Sequence, residues 1–245
     1  MKSFTLIPIA LVWSFLRLLA GPLQAPVESG PLNAVLKKMD IAAASFRSTQ
    51  AEFEWDSYEK VIDEVDEIQT GTIYYRRTGK DIEMMAEVKM AGSDPAKLKP
   101  EPKYVLFSKG KISVYQPKPD QVTVYDPGKN RVDVESYLVL GFGGSGQDLV
   151  KAFDVTYVGP ETVNGVATAK LQLIPKSDKV RNNYNRILLW IDPERGISVQ
   201  QQFFSPQGDY RLTKYTAIQL NEKKIPDDVF RLKTTGKTQT ISPKG

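Results

Sequence analysis

Histidine and cysteine are both absent from the 245 residues. The chain therefore lacks the side chain that titrates nearest neutrality, and it lacks a thiol. The commonest acid–base, metal-binding and thiol chemistries at neutral pH have no carrier. No disulfide framework can form, and a domain of this size does not need one. With no lipobox cysteine, the mature protein is not expected to be a diacylated lipoprotein. An excess of one charge is missing too: 33 Lys and Arg stand against 29 Asp and Glu. Lys2 and Arg17 fall in the first 25 residues, which leaves 31 basic residues against 29 acidic in the remainder. Basic residues spread along the strand patterns make no nucleic-acid footprint. Long apolar runs occur only at the start, so the mature chain is expected to be soluble. What is present, 41% hydrophobic and 10% aromatic residues, is enough to bury a core. These absences favour binding something apolar over transforming it. Neither an enzyme activity nor a cofactor is expected.

Met1–Lys2 form a short basic start and Phe4 to Ala20 is largely apolar. Leu23-Gln24-Ala25 places a small residue before Pro26, so residues 1–25 read as a secretory signal peptide cleaved after Ala25. An uncleaved anchor is the alternative, although the uninterrupted run is shorter than the ~20 residues a span needs. Residues 26–245 then form one domain.

Pro31 suits the first turn of a helix. Leu32, Val35, Leu36, Met39, Ala42, Ala43 and Phe46 follow at spacings of three and four, which predicts a helix over 31–47 with one apolar stripe. The period then changes to two. Ala51, Phe53 and Trp55 alternate with Glu52, Glu54 and Asp56, a half-buried strand. Further strands are expected at 70–77, 82–90, 104–108, 112–115, 122–125, 131–135, 154–158, 166–174, 185–192, 197–204 and 209–220. Ile82, Met84, Ala86, Val88 and Met90 share one face of the third. Residues 92–102, with three prolines, read as a loop, residues 148–153 as a short helix, and Ile225–Phe230 as a helical turn before a polar tail. The fold class is mainly β with a few helices (α+β). A sheet this broad must curl. It is expected to form a half-open, strongly curved antiparallel β-barrel of about eleven strands, with a helical lid over an apolar cavity.

Three segments suggest chemistry and are read as structural. Gly141-Phe142-Gly143-Gly144-Ser145-Gly146 has the composition of a phosphate loop but no Lys-Ser/Thr after it. A hinge or lid edge beside the cavity is the reading. Asp63-Glu64-Val65-Asp66-Glu67 lacks the spacing of a calcium loop and is expected to be a solvated turn, so no metal site is expected. Asp192 and Glu194 flank Pro193 at a hairpin turn rather than forming a catalytic pair.

One family combines these features in this order. The export signal and the amphipathic helix ending Ala-Ala-Ser-Phe-Arg come first, followed by the acidic alternating strand. Gly71-Thr72-Ile73-Tyr74-Tyr75-Arg76-Arg77, Ser108 to Pro117, Phe153-Asp154-Val155 and Leu171 to Pro175 follow. The hairpin at Asp192 to Gly196 and the closing Ile225–Phe230 complete the set. Together they resemble the LolA-type periplasmic lipoprotein carriers. The resemblance implies a soluble, monomeric periplasmic chaperone for outer-membrane lipoprotein sorting. Such a protein takes acylated lipoproteins as cargo from an inner-membrane release complex, shields their acyl chains in its cavity, and delivers them to an outer-membrane acceptor. Leu32, Leu36, Met39 and Phe46 would then line the lid, and Phe53, Trp55, Ile82, Met84 and Met90 the cavity wall, beside ordinary core packing. The family's lid-latching arginine corresponds to Arg77, with Arg76 the neighbouring candidate. Thr78 stands where the family has proline, and Ile82, Met84 and Met90 replace aromatic residues, which implies a softer, thioether-rich wall. The alternatives are a lipid-sensing regulatory domain of the same architecture, or an envelope glycan-binding domain using Tyr115 with Tyr125.

Overall fold

The computed structural model describes residues 30–79, 81–128, 137, 140–222 and 224–243. The leader and the strand expected at 131–135 lie outside these residues. Helix α1 (Pro31–Ser45) is followed by β1 (Ser48–Glu59), β2 (Glu64–Thr78), β3 (Asp81–Gly92), β4 (Lys99–Ser108), β5 (Lys111–Gln116) and β6 (Gln121–Tyr125). Helix α2 (Gly146–Ala152) leads into β7 (Phe153–Val163), β8 (Val166–Pro175), the one-turn α3 (Asp178–Arg181), β9 (Arg186–Asp192), β10 (Ile197–Phe204) and β11 (Tyr210–Leu220). A 3-10 turn (Asp227–Phe230) and β12 (Gln239–Ile241) close the described chain.

Among the described residues twelve strands join one open sheet in the order β12-β6-β5-β4-β3-β2-β1-β11-β10-β9-β8-β7. Every neighbouring pair is antiparallel except β12, which lies parallel to β6. Bulges interrupt the ladders of β1 with β2, β2 with β3, β3 with β4, β7 with β8 and β9 with β10. Each extra residue bends its strand and adds twist, so the broad sheet curves around an inner face.

Three expectations about the elements need correction. Lys99–Ser108 is a strand that includes Pro100 and Pro102, where a loop was expected. β5 pairs only with Tyr104–Ser108, so the prolines fall where β4 is flanked by β3 alone and their missing N–H groups cost no second ladder. The acidic run expected to form a turn joins β2 from Glu64 onward, and the turn occupies 60–63. The expected polar tail contains β12. Its strand has no apolar alternation because side chains anchor it: Thr235 and Thr238 each donate to the Asp120 carboxylate at 2.6 Å, beside the β6 start. The two hydroxyls hold that carboxyl below its usual range.

The inner face divides into two apolar clusters. Leu171, Leu173, Ile187, Leu189 and Ile191 from β8 and β9 are fully buried and pack with Val35 and Met39 of α1, Leu149 of α2, and Phe153. Ala51, Phe53, Ile73, Tyr75, Met84, Ala86, Val88, Phe107 and Tyr215 from β1–β4 and β11 form the second with Phe46 and Phe142. The outer face of β2–β4 is covered as well: Met85 is buried against Ile225 and Phe230 of the C-terminal segment.

Candidate functional site

Helix α1 begins at Pro31, whose missing N–H falls where a helix leaves its donors free anyway. Its stripe faces inward. Val35, Met39 and Ala43 are buried, while Leu32 and Leu36 are half-buried against the β8–β9 cluster. α2 crosses α1 at Gly146, where a Cβ would lie 2.4 Å from the Leu36 carbonyl oxygen. Only glycine permits that approach. The far end of α1 is pinned. Asn221 accepts from the Arg47 and Ser48 N–H groups at 2.7 and 3.1 Å, and its amide donates to the Ser45 carbonyl at 2.9 Å. Phe46, the residue after the helix, turns into the second cluster at 4% exposure.

The wall opposite comes from β1–β3. Phe53 and Trp55 lie on one face with ring centroids 4.2 Å apart. Phe53 and Met84 are buried in the second cluster, and Trp55 and Ile82 pack against it. Met90 does not belong there. The bulge between Val88 and Met90 moves it out of phase, so it pairs with Thr70, which in turn pairs with Glu54 of the outer face. Met90 therefore sits in a polar hollow with Glu52, Glu54, Lys89 and Lys214. The period-two reading missed it because a bulge leaves no signature in the alternation.

The two neighbouring arginines part company, as strand geometry requires. Arg76 faces outward. It ion-pairs with Glu83 at 2.7 Å and with Asp227, and its guanidinium lies 4.2 Å from the Phe230 ring centroid. It thereby fastens the C-terminal segment. Arg77 faces inward: its Nη2 donates to the Gly143 carbonyl at 2.7 Å, and its guanidinium lies 5.8 Å from the Phe46 ring centroid.

The expected site omitted Phe142, the residue that fills its centre. This ring is 0% exposed, with centroids 5.3 Å from Tyr75 and 5.0 Å from Tyr215. Burial pushes both tyrosine phenols up from their usual range. Gly143 has φ +85 and lies so close to Phe46 that a Cβ would sit 2.8 Å from the ring. Gly141 is held by its carbonyl, which accepts from the Ser198 N–H at 3.1 Å. A single aromatic among four glycines was the available signal. Beyond the loop, Ser145 caps α2 by accepting from the Asp148 N–H at 3.0 Å, and its hydroxyl chiefly holds the Asp148 carboxyl below its usual range.

Among the described residues the interior is largely apolar and closely packed. Between α1 and α2, Met39, Leu140, Leu149 and Phe153 border a void of about 40 Å³, room for about one water molecule. On β1, β2 and β10 several buried polar atoms have no partner: Thr49 Oγ1, Gln69 Oε1, Arg77 Nε and Gln201 Nε2. Among the described residues no group of three acidic side chains could hold a metal ion. Tyr115 and Tyr125 form no shared platform: Tyr115 is buried with its hydroxyl on Asp120 at 3.1 Å, whereas Tyr125 is exposed. Among the described residues the arrangement offers apolar side chains and the Arg77 donor, and no side chain placed as an activated nucleophile.

No protein-family model matches the sequence, and no curated protein sequence is detectably similar to it. Solved structures do resemble it. MucB aligns with a TM-score of 0.50 at 14% identity over 84% of this chain and 64% of MucB, so the chain spans less than two thirds of MucB's length. A chain of the Pseudomonas aeruginosa MucA/MucB complex aligns at 0.47 with 15% identity, over 81% of this chain and 60% of that one. The LolA superfamily protein NE2245 from Nitrosomonas europaea aligns at 0.39 with 13% identity, over 82% of this chain and 97% of that one. At these identities the likeness concerns the fold. Among the described residues no helix is long and apolar enough to cross a membrane.

Proposed function

We propose that the protein is an exported periplasmic carrier that shields the acyl chains of lipoproteins between the inner and outer membranes. One observation supports the reading: the curved sheet carries two large apolar clusters on its inner face, with α1, Phe46 and the Phe142 loop packed over them. Phe46, Phe53, Trp55, Ile82 and Met84 form one side of that interior, and Leu32, Leu36 and Met39 the other. Arg77, bonded to the Gly143 carbonyl, acts as the latch between wall and cover. Each methylene moved from water into such an interior is worth about 0.8 kcal/mol, so three acyl chains supply ample driving force. Release is then the harder step. A filled resting interior serves it, because the protein's own side chains compete for the space that cargo vacates.

A donor complex in the inner membrane and an outer-membrane acceptor complete this proposal. The likeness to MucB, solved with MucA, favours one alternative, a lipid-sensing domain that binds a protein partner. The deciding experiment incubates the protein with membranes carrying a triacylated lipoprotein and analyses the soluble fraction by native mass spectrometry. A soluble 1:1 complex that passes its lipoprotein to outer membranes supports the carrier. Acyl-lipid binding without lipoprotein release favours the sensor.

A further inference from the structure

We infer that the segment 140–144 is an internal stand-in for cargo, with the Phe142 ring in the place of acyl methylenes and the Gly143 carbonyl in the place of an acyl ester or amide carbonyl. The inference rests on the acyl-binding reading above and assigns the contacts within that site. Loops ordinarily run over the surface, because their backbone polar groups need water. This one instead carries a ring to 0% exposure between Tyr75, Tyr215 and Phe46, and it is built largely of glycine. Glycine suits a segment that must change conformation, since it adopts φ values closed to other residues.

The polar groups around the segment are what a carbonyl-bearing chain requires. Arg77 Nη2 is bonded to the Gly143 carbonyl, while Arg77 Nε, also buried, has no partner. At the other end of the segment Gln201 is 4% exposed. Its Nε2 has no partner and lies 2.7 Å from where a Gly141 Cβ would be. A buried donor without a partner is costly, and these two border the piece of chain that would have to leave. Both are donors, so the ligand that satisfies them presents acceptors. The surrounding walls are apolar, so the acceptor belongs to the head of a hydrocarbon chain, as an acyl ester or amide carbonyl does. A bare hydrocarbon would leave both donors unpaired.

The test uses methyl palmitate and hexadecane, which share a chain length and differ in the carbonyl, each displacing a fluorescent apolar probe. Wild type should prefer methyl palmitate, and Gln201→Leu should lose at least half of that preference. Phe142→Ala, which removes the competitor, should tighten methyl palmitate binding at least fivefold. Amide exchange on the unmodified chain gives a readout independent of whether a variant folds. The Ser198 N–H, bonded to the Gly141 carbonyl, should exchange faster when methyl palmitate is bound. Binding with Ser198 protection unchanged and no gain from Phe142→Ala overturns the stand-in while leaving the carrier in place. Failure of wild type and Phe142→Ala to bind either compound overturns both.

Discussion

The β7–β9 side of the sheet and the β1–β4 side both present apolar inner faces, yet they are closed in different ways. On the first, branched aliphatic side chains from β8 and β9 meet α1 and α2, and Leu171, Leu173, Ile187, Leu189 and Ile191 are fully buried. On the second, the inner face carries aromatic and thioether side chains, two buried tyrosines, and several buried polar atoms without partners. Its cover is a glycine-rich loop fastened through Arg77 and the Ser198 N–H. The first arrangement resembles a permanent core, in which every displaced atom leaves a void. On the proposed carrier function, the second is the face that exchanges one apolar occupant for another. A carrier needs both: a scaffold that stays folded, and a face that opens.

Mutations can break this contrast, beginning with the scaffold. Leu189→Ala should cost about 3 kcal/mol, within the range for buried leucines. Its denaturation midpoint should fall without any gain in acyl-lipid affinity. Asn221→Ala removes the three hydrogen bonds that pin the end of α1 and should cost about 2 kcal/mol. Amide exchange should rise in α1 ahead of β8 and β9.

The hairpin turn between β9 and β10 offers a pH test. Burial works against the Asp192 carboxylate. Arg195 Nε at 2.6 Å and the backbone N–H groups of Arg195 and Glu194 nevertheless hold its pKa below the usual range. A carboxyl depressed in the folded state contributes stability above its unfolded pKa, about 3.9, and loses that contribution as pH falls through the folded value. Asp192→Asn should therefore be about 1.5 kcal/mol less stable than wild type at pH 7. The gap should close below about pH 4 in urea titrations run across pH.

The smallest stability change belongs to the β1–β4 side. Arg77→Leu removes one charge-assisted bond to Gly143 and should cost about 1 kcal/mol, yet it should change the rate of cargo release markedly. Unchanged transfer kinetics in that variant would remove Arg77 from the mechanism.

Much of the fold was legible because the sequence states its periods plainly. The stripe from Leu32 to Phe46 and the alternation of Ala51, Phe53 and Trp55 each place one face against a core, and the hairpin turns are marked by Pro, Gly, Asn and Asp. The features it hid are those that periodicity does not encode. A bulge carries Met90 to the outer face. β12 is anchored by hydroxyls on Asp120 rather than by apolar alternation. Phe142 is buried by a loop, and a loop has no period. Arg76 and Arg77 are adjacent in sequence, and only the pleat tells which of them faces the interior.

The measurement that reaches the central claim most directly is native mass spectrometry of the protein after incubation with membranes bearing a triacylated lipoprotein, repeated with the unacylated form. The account predicts a soluble 1:1 complex with the acylated lipoprotein only. Equal binding of both forms, or binding of neither, would contradict it.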